Sequence, residues 1–232
     1  LYQYQVCPFC WKARALLALK KVPYEAVEVH PLNKKELLFS DYKKVPVFVD
    51  DTGKQVNDSN AIMSHIDAHY SGEKIFETDS AKAAKEAALI AWSESYVKGI
   101  PPLIYNTFPN AIKAFDYITQ QAKFSWYQKS LIKYSGAAVM RLVAAKSKEK
   151  QNIADPSIHF NTKLNEWIEQ LDGQFFAGGN KPNAADAAVF GITLSVSGLP
   201  AAKLVTENLK FYEWVRRMSE LTQLQFSAPQ NA

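Results

Sequence analysis

The chain contains two cysteines, Cys7 and Cys10, separated as C-x-x-C in the stretch LYQYQVCPFCWKARALLALKK. Three chemistries use that spacing. A zinc site needs four ligands, and one C-x-x-C with four scattered histidines supplies only half of one. A buried pair needs nothing further, because free cysteine often serves as a small core residue. A reactive thiol needs an electropositive setting, and a helix N-terminus provides one. Its unpaired N–H groups and the positive end of its dipole favour thiolate over thiol, lowering the ordinary pKa of about 8.5. Here LYQYQV reads as a strand and Pro8 suits the first turn of a helix, where its missing N–H costs nothing. Ala15, Leu16, Leu19 and Val22 then recur at helical spacing. Cys7 therefore precedes the helix and reads as the nucleophile. Cys10, one turn in and more shielded, reads as its resolving thiol. Lys12 and Arg14 add positive charge but are expected mainly on a solvated helix face. Phe9 and Trp11 read as packing residues, with Phe9 also a candidate apolar wall over the thiol. The motif alone does not separate a buried pair from a reactive thiol.

Further elements must position such a site. YEAVEV reads as a short strand, NKKELLF as a short helix from Asn33, VPVFV as a strand, DDTG as a turn at Gly53 and KQVN as another strand. DSNAIMSHIDAHY opens on Asp58 and Ser59, both good N-cap residues, and places Ile62 and Ile66 on one helix face. The order is β-α-β-α-β-β-α. A cis bond between Val45 and Pro46 would expose the peptide groups of Val45 at the sheet edge, where a peptide-like ligand could pair as an added strand. Asp58 and Ser59, at a helix start, suit a ligand carboxylate and ammonium, although alone they read as an ordinary cap. After SGEKIFETDS the strand signals stop, and six segments carry apolar residues three and four apart. The expected division is an α/β domain over 1–71, a linker over 72–80 and an all-helical domain over 81–232.

Composition narrows the partners. Over 232 residues, 27 Lys and Arg against 23 Asp and Glu give a net charge of +4, with no basic block interleaved with aromatics, so no nucleic-acid partner is expected. No run approaches the ~18 apolar residues of a membrane span, and the N-terminus lacks signal-peptide regions. A soluble body is expected. Because the chain starts at Leu1 inside a strand with no initiator Met, an upstream segment bearing an anchor or address is expected too. Two cysteines in C-x-x-C spacing point to a reducing compartment.

Taken together, Cys-Pro-Phe-Cys after a strand, Val45-Pro46 and Asp58-Ser59 resemble the glutathione-binding domain of glutaredoxins and of the glutathione transferase superfamily. That resemblance implies a thioredoxin-like (glutaredoxin-like) N-terminal domain and an all-α glutathione-transferase-like C-terminal domain. KPNAADAAVFG is similar to the superfamily's buried N-capping box, with Asn183 as cap and Asp186 three residues on. LYQYQVCPFCWKARALL, KKVPVFV, VNDSNAI, AFDYI, KYSGAAVM and GGNKPNAADAAVFG resemble, in order along most of the chain, the membrane-associated prostaglandin E synthase type 2 family. The resemblance implies thiol-dependent isomerisation of prostaglandin H2 to prostaglandin E2. It also implies a homodimer facing the cytoplasm and held at an intracellular membrane by a missing N-terminal segment. By motif position, Cys7 is the catalytic thiol and Tyr4 the hydroxyl that hydrogen-bonds it, with Cys10 beside them. Phe9 lines the substrate pocket, Val45 and Pro46 contact the glutathione backbone, and Asp58 and Ser59 hold its γ-glutamyl end.

The resemblance also implies haem bound together with glutathione. The segment after Trp92, where relatives carry histidine, reads SESYVKGIPPLIY and has none, which counts against haem. His65 and His69 are four apart on one helix, a metal-binding spacing, but with His30 and His159 they read as surface or cap residues, and no metal is expected. Three other functions stay open: glutaredoxin-like reduction of glutathione mixed disulfides, a non-catalytic scaffold that only binds ligand or protein, and an iron–sulfur cluster bridged between two chains through Cys7 and glutathione. In KYSGAAVMRLVAAKSKEK, Gly136, Ala137 and Ala138 suggest close helix packing or a dimer contact. Arg141, Lys146, Lys148 and Lys150 read as a solvated face, with an anionic membrane surface as the alternative.

Overall fold

A computed structural model describes residues 1–31, 33–121 and 126–229. Strand β1 (Tyr2–Gln3) leads into helix α1 (Pro8–Leu19) and returns to β2 (Val27–Glu28), parallel to β1. β3 (Val47–Val49) and β4 (Gln55–Asn57) form an antiparallel hairpin, and α2 (Ser59–His69) follows. The sheet order is β2-β1-β3-β4, with Tyr2 opposite both Val27 and Val47. This is the thioredoxin-like arrangement expected from the sequence. The expected short helix after Asn33 is a single 3-10 turn, Lys35–Leu37, entered through Lys34 at φ 48°. Three residues supply too few backbone bonds to continue it.

The strands are short because few residues alternate, yet both faces are covered. Val29, Leu37 and Val47 are fully buried, and Tyr2, Tyr4, Tyr42 and Val45 pack against them. On the other side α1 buries Cys10, Ala13, Leu16 and Leu17, and α2 buries Ile62, Met63 and Ile66. Each such aliphatic side chain contributes roughly 1.5–3 kcal/mol relative to exposure.

The remaining described elements are helical: α3 (Ser80–Ile104), α4 (Phe108–Gln121), α5 (Trp126–Lys150), α6 (Pro156–Leu171), α7 (Ala184–Leu194), α8 (Ala202–Glu207) and α9 (Leu209–Thr222). Two compact units result. One contains Leu1–Ser93, Glu169–Ser195 and Glu213–Phe226, and the other Glu94–Ile168, Val196–Tyr212 and Ser227–Ala232. Within the first, α7 lies directly on α1: a Cβ at Gly191 would stand 2.5 Å from the backbone oxygen of Trp11, so only glycine permits this approach. The 72–80 segment is pinned in the same unit, since the N–H groups of Ile75 and Phe76 donate to the buried Asp67 carboxylate at 2.9 and 3.3 Å. Within the second unit, Gly136 faces the Phe115 ring, where a Cβ would come within 2.4 Å. Gly136 and the buried Ala137 of α5 thus serve packing inside the chain, whereas Ala138 is exposed. Among the described residues no helix is long and apolar enough to cross a membrane.

Candidate functional site

Cys7 is the N-cap residue of α1, in extended conformation (φ −78°, ψ 116°), with Pro8 behind it in the first turn and no side-chain cap bond. Its N–H donates to the Tyr4 oxygen at 3.0 Å, and its own carbonyl accepts the first helical bond, from Trp11 N–H at 3.1 Å. The strand-to-helix turn therefore fixes a half-buried sulfur at the open end of the helix. Hydrogen bonding from the Cys10 side chain is the largest influence on the Cys7 thiol and lowers its pKa. Burial opposes this, and backbone N–H groups at Cys10 and Phe9 add to the lowering. The Cys10 thiol is pushed well up, first by burial and then by its bond to Cys7. The pair is thus polarised: the outer sulfur is the acid that ionises, and the inner one keeps its proton.

Tyr4 meets Cys7 through the backbone. Its ring packs on the Val29, Leu37 and Val47 cluster, and burial pushes its phenol up to about 12, with Cys7 and Cys10 adding to the rise. Phe9 is half-buried in the first turn of α1. The Val45–Pro46 peptide is cis and Pro46 is buried. Val45 precedes β3 by two residues and lies outside its ladder. Asp58 caps α2, its Oδ1 accepting from Asn60 N–H at 2.9 Å and Ala61 N–H at 3.2 Å. It does so at φ 72° and ψ 132°, a backbone region that residues with a Cβ rarely occupy and that is held only where surrounding structure imposes it. Ser59, next to it, is 3% exposed.

Two connections escaped the sequence reading. Lys12 is fully buried, not on a solvated face, and its Nζ donates to Asn60 Oδ1 at 2.6 Å, tying α1 to the first turn of α2 beside Asp58. Its position four residues before the buried Leu16 places it on the apolar stripe, and that spacing was the available signal. Arg14, also expected in solvent, lies 3.4 Å over the Trp11 ring and donates to Gln5 Oε1 at 2.9 Å. Trp11 Nε1 donates to the Gln5 oxygen at 2.7 Å, and Gln5 N–H to Glu28 Oε1 at 2.8 Å. This network braces the turn that carries Cys7. No local pattern announces it, because it joins a strand end, a helix face and β2.

The geometry offers an activated thiol, a peptide edge at Val45 and a charged helix start at Asp58–Ser59. Comparison with known proteins gives the family and the fold. The family model "Glutathione S-transferase, N-terminal domain" matches residues 1–74. Prostaglandin E synthase 2 of Danio rerio is 31% identical over 268 residues, an alignment covering 96% of this chain and 71% of that protein. Among solved structures, a glutathione S-transferase from Rhodospirillum rubrum superposes with a TM-score of 0.67 at 17% identity, covering 94% of this chain and 86% of that one. Another, from Methylobacterium radiotolerans and solved with glutathione sulfonate, gives a TM-score of 0.62 at 14% identity, covering 100% and 96%. At those identities the structural likeness shows the fold: a thioredoxin-like β/α domain followed by a helical domain of glutathione S-transferase type.

Proposed function

The chain belongs to the prostaglandin E synthase 2 family, within the glutathione S-transferase superfamily, and from that premise we propose that it binds glutathione and isomerises prostaglandin H2 to prostaglandin E2 through Cys7. The observation that carries the reading is the uncapped Cys7 at the start of α1, with the Cys10 side chain favouring its thiolate. Glutathione suits the neighbouring groups. The peptide groups of Val45, beside Pro46, can pair with its cysteinyl backbone. Asp58 Oδ2, which holds no described bond, can accept from its ammonium group, and the Ser59 end of α2 can receive its γ-glutamyl carboxylate. Tyr4, a phenol protonated up to about pH 12, is the hydroxyl donor nearest in sequence to the thiolate. Phe9 supplies apolar wall for the fatty chain. Residues 1–71 then form the glutathione-binding part, 72–80 its connector and 81–232 the helical part.

In the reaction, the Cys7 thiolate attacks the endoperoxide oxygen borne by C9. An S–O bond forms, the O–O bond breaks, and the electron pair leaves on the C11 oxygen, which takes a proton from solvent. A base then removes the C9 proton, the C9–H pair becomes the ketone π bond, and the S–O pair returns to sulfur as thiolate. No net oxidation occurs. Haem is left out of this reading: the segment SESYVKGIPPLIY after Trp92 carries no histidine.

The test is product analysis by chromatography and mass spectrometry after brief exposure of the purified chain to prostaglandin H2, with and without glutathione. Cys7→Ser is expected to fall to the spontaneous rate while Cys10→Ser keeps activity; the reverse pattern would overturn the assignment. The polarised Cys7–Cys10 pair also suits a second reading, glutathione-dependent thiol–disulfide exchange. A mixed-disulfide reductase assay that exceeds isomerisation would favour it. Exposed apolar side chains on α5, among them Leu131, Val139, Leu142 and Val143, support the expected homodimer, which light scattering can measure.

A further inference from the structure

At the other end of α2 from Asp58, the side chains of His65 and His69 converge with Asp50. The two imidazoles, four residues apart on one helix face, stack with centroids 5.1 Å apart and planes 15° apart. Asp50 Oδ2 lies 2.8 Å from His65 Nε2 and 4.0 Å from His69 Nε2. One ligand atom from each of the three residues falls within 4.8 Å of the others. The Asp50 side chain is 1% exposed, and its other oxygen is fixed by Thr52 N–H at 2.9 Å, Thr52 Oγ1 at 2.6 Å and Lys54 N–H at 2.9 Å. Those three bonds hold the carboxylate in a single orientation. The turn thus orients one carboxylate oxygen toward two ring nitrogens, which is the outer support a ligating carboxylate requires.

We propose that Asp50, His65 and His69 form a binding site for a divalent first-row transition metal of the zinc class. Two imidazole nitrogens and one carboxylate oxygen are a zinc ligand set that leaves one position open. Bond lengths of about 2.0–2.2 Å in a tetrahedron put ligand atoms about 3.3–3.6 Å apart, so the present 2.8 and 4.0 Å need to change by about 0.4–0.8 Å, and the two imidazole nitrogens, within 4.8 Å of each other, close by up to about 1.5 Å. Asp51, whose Oδ1 is 2.7 Å from His69 Nε2, is 70% exposed and can supply the fourth oxygen or yield to water. The metal would clamp the β3–β4 turn to the C-terminal half of α2. Six and ten residues of helix, about 9 and 15 Å, separate His65 and His69 from Ser59 at the start of α2. The i, i+4 histidines were visible in the sequence as a metal-binding spacing, but their third partner was not. It follows a strand and is brought to them only by the hairpin.

Because thiols also bind zinc, the test uses the full chain with both cysteines replaced (C7S/C10S). Calorimetric titration with zinc chloride in a non-chelating buffer is expected to give one site per chain, with a rise in Tm. Cobalt chloride is expected to give a visible ligand-field band. His69→Gln, at a side chain 28% exposed, and His65→Gln are each expected to weaken binding at least tenfold, with circular dichroism unchanged. Asp50→Asn should do the same, although loss of its turn bonds can unfold the hairpin, so the histidine variants decide. Absence of saturable binding in C7S/C10S, or binding that His69→Gln and His65→Gln leave intact, would overturn the site and leave the cluster as hydrogen-bonded His–Asp pairs. Neither result bears on Cys7 chemistry, which the isomerase assay reads separately.

Discussion

Two helix N-termini in the same compact unit are treated in opposite ways. α7 begins at Asn183, whose side chain accepts from Ala185 N–H and Asp186 N–H at 3.0 and 3.3 Å, while Asp186 accepts from Asn183 N–H at 3.0 Å. Asp186 is fully buried and also takes Ala177 N–H and Trp214 Nε1–H. α1 begins at Cys7, whose side chain makes no cap bond of ordinary geometry and instead has the N–H groups of Phe9 and Cys10 favouring its thiolate, although α7 packs on that same helix at Gly191. A helix start holds unpaired donors either way. Closed by a capping box in a dry interior, they become structure; left open beside a half-buried sulfur, they become a means of holding charge. α7 meets α1 at Gly191 and Trp11, one turn beyond Cys7.

The contrast can be broken at either end. Cys7→Ser is expected to cost isomerase turnover at least about a hundredfold while leaving the urea midpoint nearly unchanged, because a side chain with no cap bond holds little of the fold. Asp186→Ala should do the reverse. It strands the N–H groups of Ala177, Asn183 and the Trp214 indole, at about 1–3 kcal/mol each when buried, so a loss of about 3–5 kcal/mol is expected in denaturant unfolding. A Cys7→Ser protein that is strongly destabilised, or an Asp186→Ala protein that is not, would erase the distinction.

Acidity sharpens it further. Burial raises the Asp186 carboxyl from 3.8 to about 6, so the native state holds its proton more tightly than the unfolded chain does. Its contribution to stability is therefore full below about pH 4 and is lost as pH rises through about 6. Asp186→Asn should remove that downward slope from the stability profile measured by denaturant unfolding. The Cys7 thiol is shifted the other way. Cys10→Ala deletes its main hydrogen-bond donor, so the pH profile of Cys7 alkylation by iodoacetamide should move up and the rate at neutral pH fall several-fold. Tyr4→Phe is expected to have the smallest effect, about twofold to fivefold on turnover, since Tyr4 already holds Cys7 by its backbone oxygen, which the substitution keeps. No change at all would remove the hydroxyl from the site.

Much of the first unit was legible as local pattern. Pro8 after Cys7, the alternation in VPVFV and the caps at Asp58 and Asn183 each act within a few residues, so the helices and strands they announce fall where expected. The 3-10 turn at Lys35–Leu37 differs, because NKKELLF has helical residue types but too short a run to propagate. The charge of Lys12 and Arg14 predicts solvated side chains. Burial of a lysine depends on a partner 48 residues away, Asn60, and that of Arg14 on the Trp11 face and Gln5.

The sequence by itself determined the chemistry available: a thiol placed before a helix by Pro8, a second thiol one turn on, the Val45-Pro46 step before a strand, and a buried capping box. Those features are short-range, and short-range sterics and hydrogen bonding specify them. Only the tertiary structure decided how deeply each sulfur is buried, that Lys12 is buried to join α1 to α2, and that Asp50 meets His65 and His69. Each of these depends on desolvation and on partners far apart in the chain, and such effects exist only once the elements have packed.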